Sequence, residues 1–120
     1  MSTPKYDLEE RLLEYSASIV TVIDRLSNTR AGNHVAGQLL RSGTAALPNH
    51  GEAQAAESQA DFIHKMKICL KELRESYRWL LLIRRVPLVE SDTDVTTLIN
   101  ETDELIRIFV KSIETAKRQD

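Results

Sequence analysis

The chain has 120 residues, 42% of them apolar and 28% charged, with a formal net charge of −2; this is the profile of one globular domain spanning residues 1–120 and excludes disordered and fibrous classes. Four Gly and three Pro supply few of the tight turns that an all-β sandwich or barrel needs, so an all-α chain is favoured. The lone Cys69 allows no intrachain disulfide and points to the cytoplasm, the polar and acidic start carries no signal-peptide core, and apolar runs of about five residues such as Trp79 to Ile83 cannot cross a membrane.

The first helix is written in Leu8, Leu12, Tyr15, Ile19, Val22 and Leu26, spaced alternately by four and three, with Leu13, Ser16, Val20 and Ile23 widening the stripe toward a core. Asp7, with Glu10 three residues on, fits its N-cap, and Ser27, Asn28 and Thr29 end it in a polar turn. The second helix, from about Ala31 to Gln54, carries Val35, Leu39, Leu40, Ala46 and Leu47 among small residues that let neighbouring backbones approach. Pro48 lacks a backbone donor and is expected to kink or split it. Ser58 with Asp61 opens the third helix, whose stripe runs Phe62, Ile63, Met66, Cys69, Leu70, Leu73, Tyr77, Leu80 and Leu81 before Pro87 stops it near Arg85. Ser91 with Asp94 is expected to cap the fourth, marked by Val95, Leu98, Thr102, Leu105, Phe109 and Ile113. Four amphipathic helices on short polar turns predict an antiparallel up-down-up-down four-helix bundle.

The neutral total hides an uneven distribution. Residues 62–85 carry seven basic and two acidic side chains, whereas residues 86–104 carry six acidic and no basic ones. Projected at about 100° per residue from Lys67, the third helix divides into three sectors. Its apolar stripe spans roughly 200° to 320°, and Lys67, Lys71, Arg74, Arg78 and Arg85 lie within about 40° of zero. Ile68, Trp79 and Ile83 fall at about 100°, 120° and 160°, away from the centre of the stripe. A monomer offers these three no obvious burial, and they are expected to form an interface between copies. The basic line fits phosphate contacts, salt-sensitive and tolerant of sequence. The alternative is that Lys71 and Arg78 pair with Glu75 one turn away, or with the acidic half of the fourth helix, and that the charges only solvate the surface.

Gly37-Gln38-Leu39-Leu40-Arg41-Ser42-Gly43, followed by Asn49, Glu52, Ala53, Ser58, Ala60-Asp61-Phe62-Ile63-His64-Lys65 and Lys71-Glu72-Leu73, resembles the bacterial four-helix bundle family encoded by intervening sequences of 23S ribosomal RNA genes. The similarity extends from Asp7 to about Lys117 and is densest over the second and third helices. The same bundle is similar to the accessory variability determinant of diversity-generating retroelements, which partners a reverse transcriptase and binds nucleic acid. The resemblance implies a homopentameric ring with a basic surface, RNA or DNA and a reverse transcriptase as partners, and no established enzymatic activity. The polar positions of the family map to Gln38, Arg41, Ser42, Asn49 and Glu52. Arg41 is expected to pair with a carboxylate such as Glu72 or Glu75 and to fix helix register, making these residues a structural polar network.

No catalytic arrangement emerges from the residues. A two-metal bundle site needs repeated Glu-x-x-His pairs, and only Asp61-x-x-His64 approximates one, with His34 and His50 far away. Cys69 lies in the apolar stripe, where a thiol is inert. Gly32, Gly37 and Gly43 match no phosphate-binding loop, and Ser42 has no identifiable base and orienting partner. The expectation is a non-enzymatic protein without cofactor or metal. It is either a nucleic-acid-binding homo-oligomer or a structural, protein-interaction module that binds no nucleic acid.

Overall fold

A computed structural model of the chain describes residues 7–119; the first residues of the N-terminal stretch read above, and the outer limits of a 1–120 domain, lie outside the described residues. Four helices account for the architecture: α1 Leu8–Ile23, α2 Arg30–Gln54, α3 Gln59–Arg85 and α4 Thr93–Lys117. Three begin with a side-chain cap that relieves an orphan backbone donor. Asp7 accepts from the Glu10 amide at 3.2 Å, Thr29 from Gly32 at 3.0 Å and Ser58 from Asp61 at 3.0 Å. Thr29 therefore starts α2 as well as belonging to the turn that ends α1.

Two local expectations are corrected. Ser91 and Asp94 do not cap α4: Asp92 holds the N-cap position without a side-chain bond, and Ser91, one residue too early, donates to the Thr93 hydroxyl at 3.3 Å. Pro48 does not split α2, which is one helix from Arg30 to Gln54. Proline forfeits a single intrahelical bond, and beside it the Asn49 side-chain amide donates to the Ala45 carbonyl at 2.9 Å.

The helices close a ring in which the backbone of α1 runs beside α2 and α4, and that of α3 beside the same two. Opposite directions follow from the paired residues. Tyr15 meets Thr102 while Arg25 reaches Asp94 across α1 and α4; Arg41 meets Glu72 while Glu52 meets Lys65 across α2 and α3; Gln59 donates to the Ala116 carbonyl while Arg84 donates to Thr96 across α3 and α4. Gly43 supplies the close approach of α1 to α2, because a Cβ there would stand 2.8 Å from the Ile19 side chain.

Leu12, Ile19, Leu39, Met66, Leu73, Leu80, Leu105 and Phe109 are fully buried in the centre, and removing any one would leave a cavity costing about 2–5 kcal/mol. Leu13, Val20 and Leu40, counted above toward the core, are instead exposed. The buried arc of α1 is narrower than its apolar arc. A chain of hydroxyls crosses the core with one member from each helix. Ser42 and Ser76 share a hydrogen bond at 2.8 Å, and the Tyr15 hydroxyl meets Thr102 at 2.7 Å. Thr102 spends its proton on the Leu98 carbonyl at 2.6 Å, so Tyr15 is the donor between them. Ser76 also lies beside the Tyr15 hydroxyl, and burial is the main cause that pushes the Tyr15 pKa up to about 12. The phenol keeps its proton and the chain its direction.

His50 is the exception to this satisfied interior. It is 5% exposed, meets Phe109 edge to face at 6.2 Å, and lies 3.3 Å from the Gln54 amide nitrogen through Nε2, while its Nδ1 has no hydrogen-bond partner. Burial lowers its pKa, and Glu9 and Asp7 oppose that only in part. The unfolded chain thus takes up a proton before the folded one does, so the neutral imidazole's contribution to stability is complete above about pH 6.5 and is lost as pH falls toward and through the lower folded value. Urea unfolding of the wild type is expected to show a lower midpoint at about pH 5 than at about pH 7.5, and His50→Gln to shrink that difference; equal differences in both proteins would contradict the assignment.

Candidate nucleic-acid interface

The position of the core around α3 decides which of its sectors are free. Cys69 donates to the Ala46 carbonyl at 3.6 Å and Ser76 meets Ser42, which puts α2 at roughly 150° to 200° in the projection from Lys67. Gln59 and Arg84 reach α4 from roughly 260° to 280°. The helix therefore buries an arc centred near 220°, and the face diametrically opposite is the basic line.

This placement removes Ile83 from the expected three-residue apolar interface. Ile83 is 0% exposed and belongs to the core, Ile68 is half-buried, and Trp79 is half-buried against the core cluster. What looked like a third, unpartnered sector is largely the side on which α2 packs. The hydrophobic projection placed the centre of the core too close to α4.

Trp79 is also tied down by polar contacts. Its indole N–H donates to Glu75 at 3.0 Å, and its ring meets His34 of α2 edge to face at 6.1 Å. Glu75 in turn is paired with Arg41. Arg41 reaches Glu72 at 3.1 Å, and its guanidinium also donates to Gln38 at 3.2 Å. The sequence left Glu72 and Glu75 as alternatives; Arg41 spans both. The other members of the expected polar network are separate. Ser42 belongs to the buried hydroxyl chain, Asn49 bonds its own helix, and Glu52 pairs with Lys65 at 2.7 Å, an exposed contact whose hydrogen bond raises the Lys65 pKa.

The pairing of Arg41 leaves the basic line without local acids. Glu75 stands four residues after Lys71 and three before Arg78, the helical spacings at which it could neutralise them, but its carboxylate is occupied from α2. The acidic half of α4 is similarly engaged: Glu101 and Glu104 with Arg11, Asp94 with Arg25, and Asp103 with Arg107. Among the described residues, Lys67, Lys71, Arg74, Arg78 and Arg85 form no ion pair. Arg78 donates to the Arg74 carbonyl at 3.1 Å, which seats it along the helix. All five are exposed and extend over about 27 Å of helix axis at a rise of about 1.5 Å per residue.

Cys69 is fully buried, and burial pushes its thiol up to about 12, which keeps it protonated and unreactive. Among the described residues no three His, Cys, Asp or Glu side chains stand together as a metal site, and no helix is long and apolar enough to cross a membrane.

Fold and surface together define an all-α four-helix bundle whose third helix presents one cationic face unneutralised by its own carboxylates. Residues 5–111 match the 23S rRNA-intervening sequence protein family, and the chain belongs to that family. It is also similar to a crystal structure of a protein of unknown function from the S23 ribosomal protein family of Bacteroides thetaiotaomicron, with 32% identity, a TM-score of 0.81 and coverage of 89% of this chain and 98% of that one. No curated protein matches the sequence.

Removal of the α2 cation tests the clamp. Arg41→Ala is expected to cost about 1 kcal/mol, the magnitude of a partly exposed multidentate ion pair, and to loosen Glu75 and with it Trp79. As Trp79 is the single tryptophan, its emission should shift to the red in the folded variant; an unchanged spectrum and an unchanged urea midpoint would contradict the role given to Arg41.

Proposed function

We propose that this family member is a non-catalytic nucleic-acid-binding protein whose α3 surface takes RNA by its phosphates. The observation that carries the reading is the line Lys67, Lys71, Arg74, Arg78 and Arg85, exposed and unpaired while the nearby acids are engaged by other cations. Solvated charges of opposite sign on one helix pair at three- and four-residue spacing; a helix that keeps its cations free holds them for an external anion. Phosphate contacts of this kind position a polyanion without reading its bases. The family description, which links these proteins to 23S rRNA, makes RNA the first polyanion to test. Gel retardation in about 50 mM salt is expected to show RNA binding by the wild type, weakened at least about 100-fold when Lys67, Lys71, Arg74 and Arg78 become Glu. A wild type that retards no RNA, or a quadruple variant that binds equally well, contradicts the proposal and favours the protein-interaction module.

Self-association belongs to the same reading, on a different face from the one expected. Leu13 and Val20 are seven residues apart on α1, and Leu40 and Leu47 seven apart on α2; Leu13 and Leu47 border one hollow together with Pro48. Leu13, Val20 and Leu40 are exposed, so an apolar seam follows the outer α1–α2 edge and leaves α3 open. The hollow is also bordered by Asp7, Glu9 and Glu10; exposed apolar side chains gathered along one edge suit an association surface, and we propose this edge for the contact between copies that the family resemblance implies. Light scattering should report an oligomer for the wild type and a smaller species for Val20→Glu; a monomeric wild type, or an unchanged mass, argues against this face.

A further inference from the structure

The two ends of the basic line have different neighbours. Beside Lys67 and Lys71 stands the half-buried Ile68, whereas Arg78 and Arg85 flank the exposed Leu82, which is four residues after the first and three before the second. Leu82 is 41% exposed and Val86, one turn further on, is 55% exposed. Trp79 precedes Leu82 by three residues, so Trp79, Leu82 and Val86 form a strip at helical spacing alongside the arginines. The indole is half-buried against the core and its position is fixed: Glu75 accepts from its N–H and His34 meets its ring, and Glu75 is fixed by Arg41. Two of the exposed large apolar side chains of the molecule and its single tryptophan thus stand at one end of the cation line.

Duplex nucleic acid offers little to such a strip. Outside its grooves a duplex exposes phosphate and sugar, its bases being stacked and paired within, and double-stranded RNA is recognised mainly through shape, backbone and 2′-hydroxyl contacts. An unpaired strand exposes the faces of its bases, and proteins that hold one combine a cationic track with aromatic and apolar side chains against which bases lie. From this juxtaposition we infer that the α3 surface is built for unpaired RNA, whose backbone follows Lys67 to Arg85 while one or two bases pack against Trp79, Leu82 and Val86. The inference rests on the nucleic-acid reading above and adds the form of the ligand.

The test compares an RNA of about 15 nucleotides without internal pairing, within the range of site sizes of single-strand binders, with its blunt duplex at one salt concentration. Affinities are measured by anisotropy of labelled RNA and Trp79 emission is followed in the same titration. The expected result is a preference of about tenfold for the unpaired strand, the scale of one base stacked on an aromatic platform, together with quenching of Trp79 at saturation. Leu82→Ala combined with Val86→Ala, both at exposed helical positions where Ala is well tolerated, should erode that preference. Equal or tighter binding of the duplex, or unquenched Trp79 in the complex with the unpaired strand, overturns the inference while leaving the nucleic-acid reading standing. A double variant that keeps its RNA affinity but loses oligomer mass in light scattering also overturns it, since the strip would then be a contact between copies. Binding of neither RNA removes the nucleic-acid reading itself.

Discussion

Arg41 of α2 lies between Glu72 and Glu75 of α3, and the surface chemistry of the bundle follows from that placement. α3 has only three carboxylates along its length, Asp61, Glu72 and Glu75, and the last is the one within helical reach of both Lys71 and Arg78. Drawn toward α2, it cannot neutralise them. The same guanidinium fixes the Glu75 side chain against which Trp79 is anchored. One interhelical ion pair therefore does two things: it joins α2 to α3, and it leaves a ridge of positive charge on the far side of α3. Its net contribution to stability is modest, because the guanidinium is half exposed and solvent screens the pair. Its consequence for electrostatics is larger, since a chain with a formal net charge of −2 still presents one strongly cationic face.

Register places Arg41 opposite its acids, and the buried hydroxyls constrain register. Ser42, next to Arg41 in sequence, meets Ser76, next to Glu75. The chain continues to Tyr15 and Thr102 and so involves every helix. Apolar packing tolerates sliding by small amounts, whereas a slipped hydroxyl would be left buried without a partner at a cost of about 1–3 kcal/mol. The core thereby excludes neighbouring registers, and the charge pattern on the surface inherits that selection. Gly43 adds a steric requirement from the other side, admitting Ile19 where any side chain would hold α1 away.

Much of this architecture was legible in the sequence because helical periodicity reports burial directly. The stripes of α1 to α4, the caps at Asp7 and Ser58 and the single basic line come from spacing alone, and Arg41 could be matched to Glu72 or Glu75 as a cation facing acids. The misplacements of Ile83, Leu13 and Val20 share one cause. A wheel gives the width of an apolar arc but not the directions of the two neighbours that cover it. A wheel therefore reads Ile83 as unpartnered although the core encloses it, and Leu13 and Val20 as buried although they lie at the margin of the apolar arc, outside the packed core. Pro48 leaves α2 unsplit because its missing donor is one bond among many in a long helix. The hydroxyl chain had no sequence signal beyond scattered Ser, Thr and Tyr in apolar stripes, since partners on four different helices become visible only after the helices are packed.

The chain belongs to the 23S rRNA-intervening sequence protein family, and its surface has two unlike features, exposed apolar side chains on α1 and α2 and a cationic ridge on α3. The central claim is that the ridge exchanges bound counterions for phosphates. The most direct measurement is the slope of log affinity against log salt for the wild-type chain and an unpaired RNA. Five phosphate contacts predict a slope of about −3.5, at roughly −0.7 per contact for a single strand, whereas a slope shallower than about −1 would mean that the five cations do not meet phosphates.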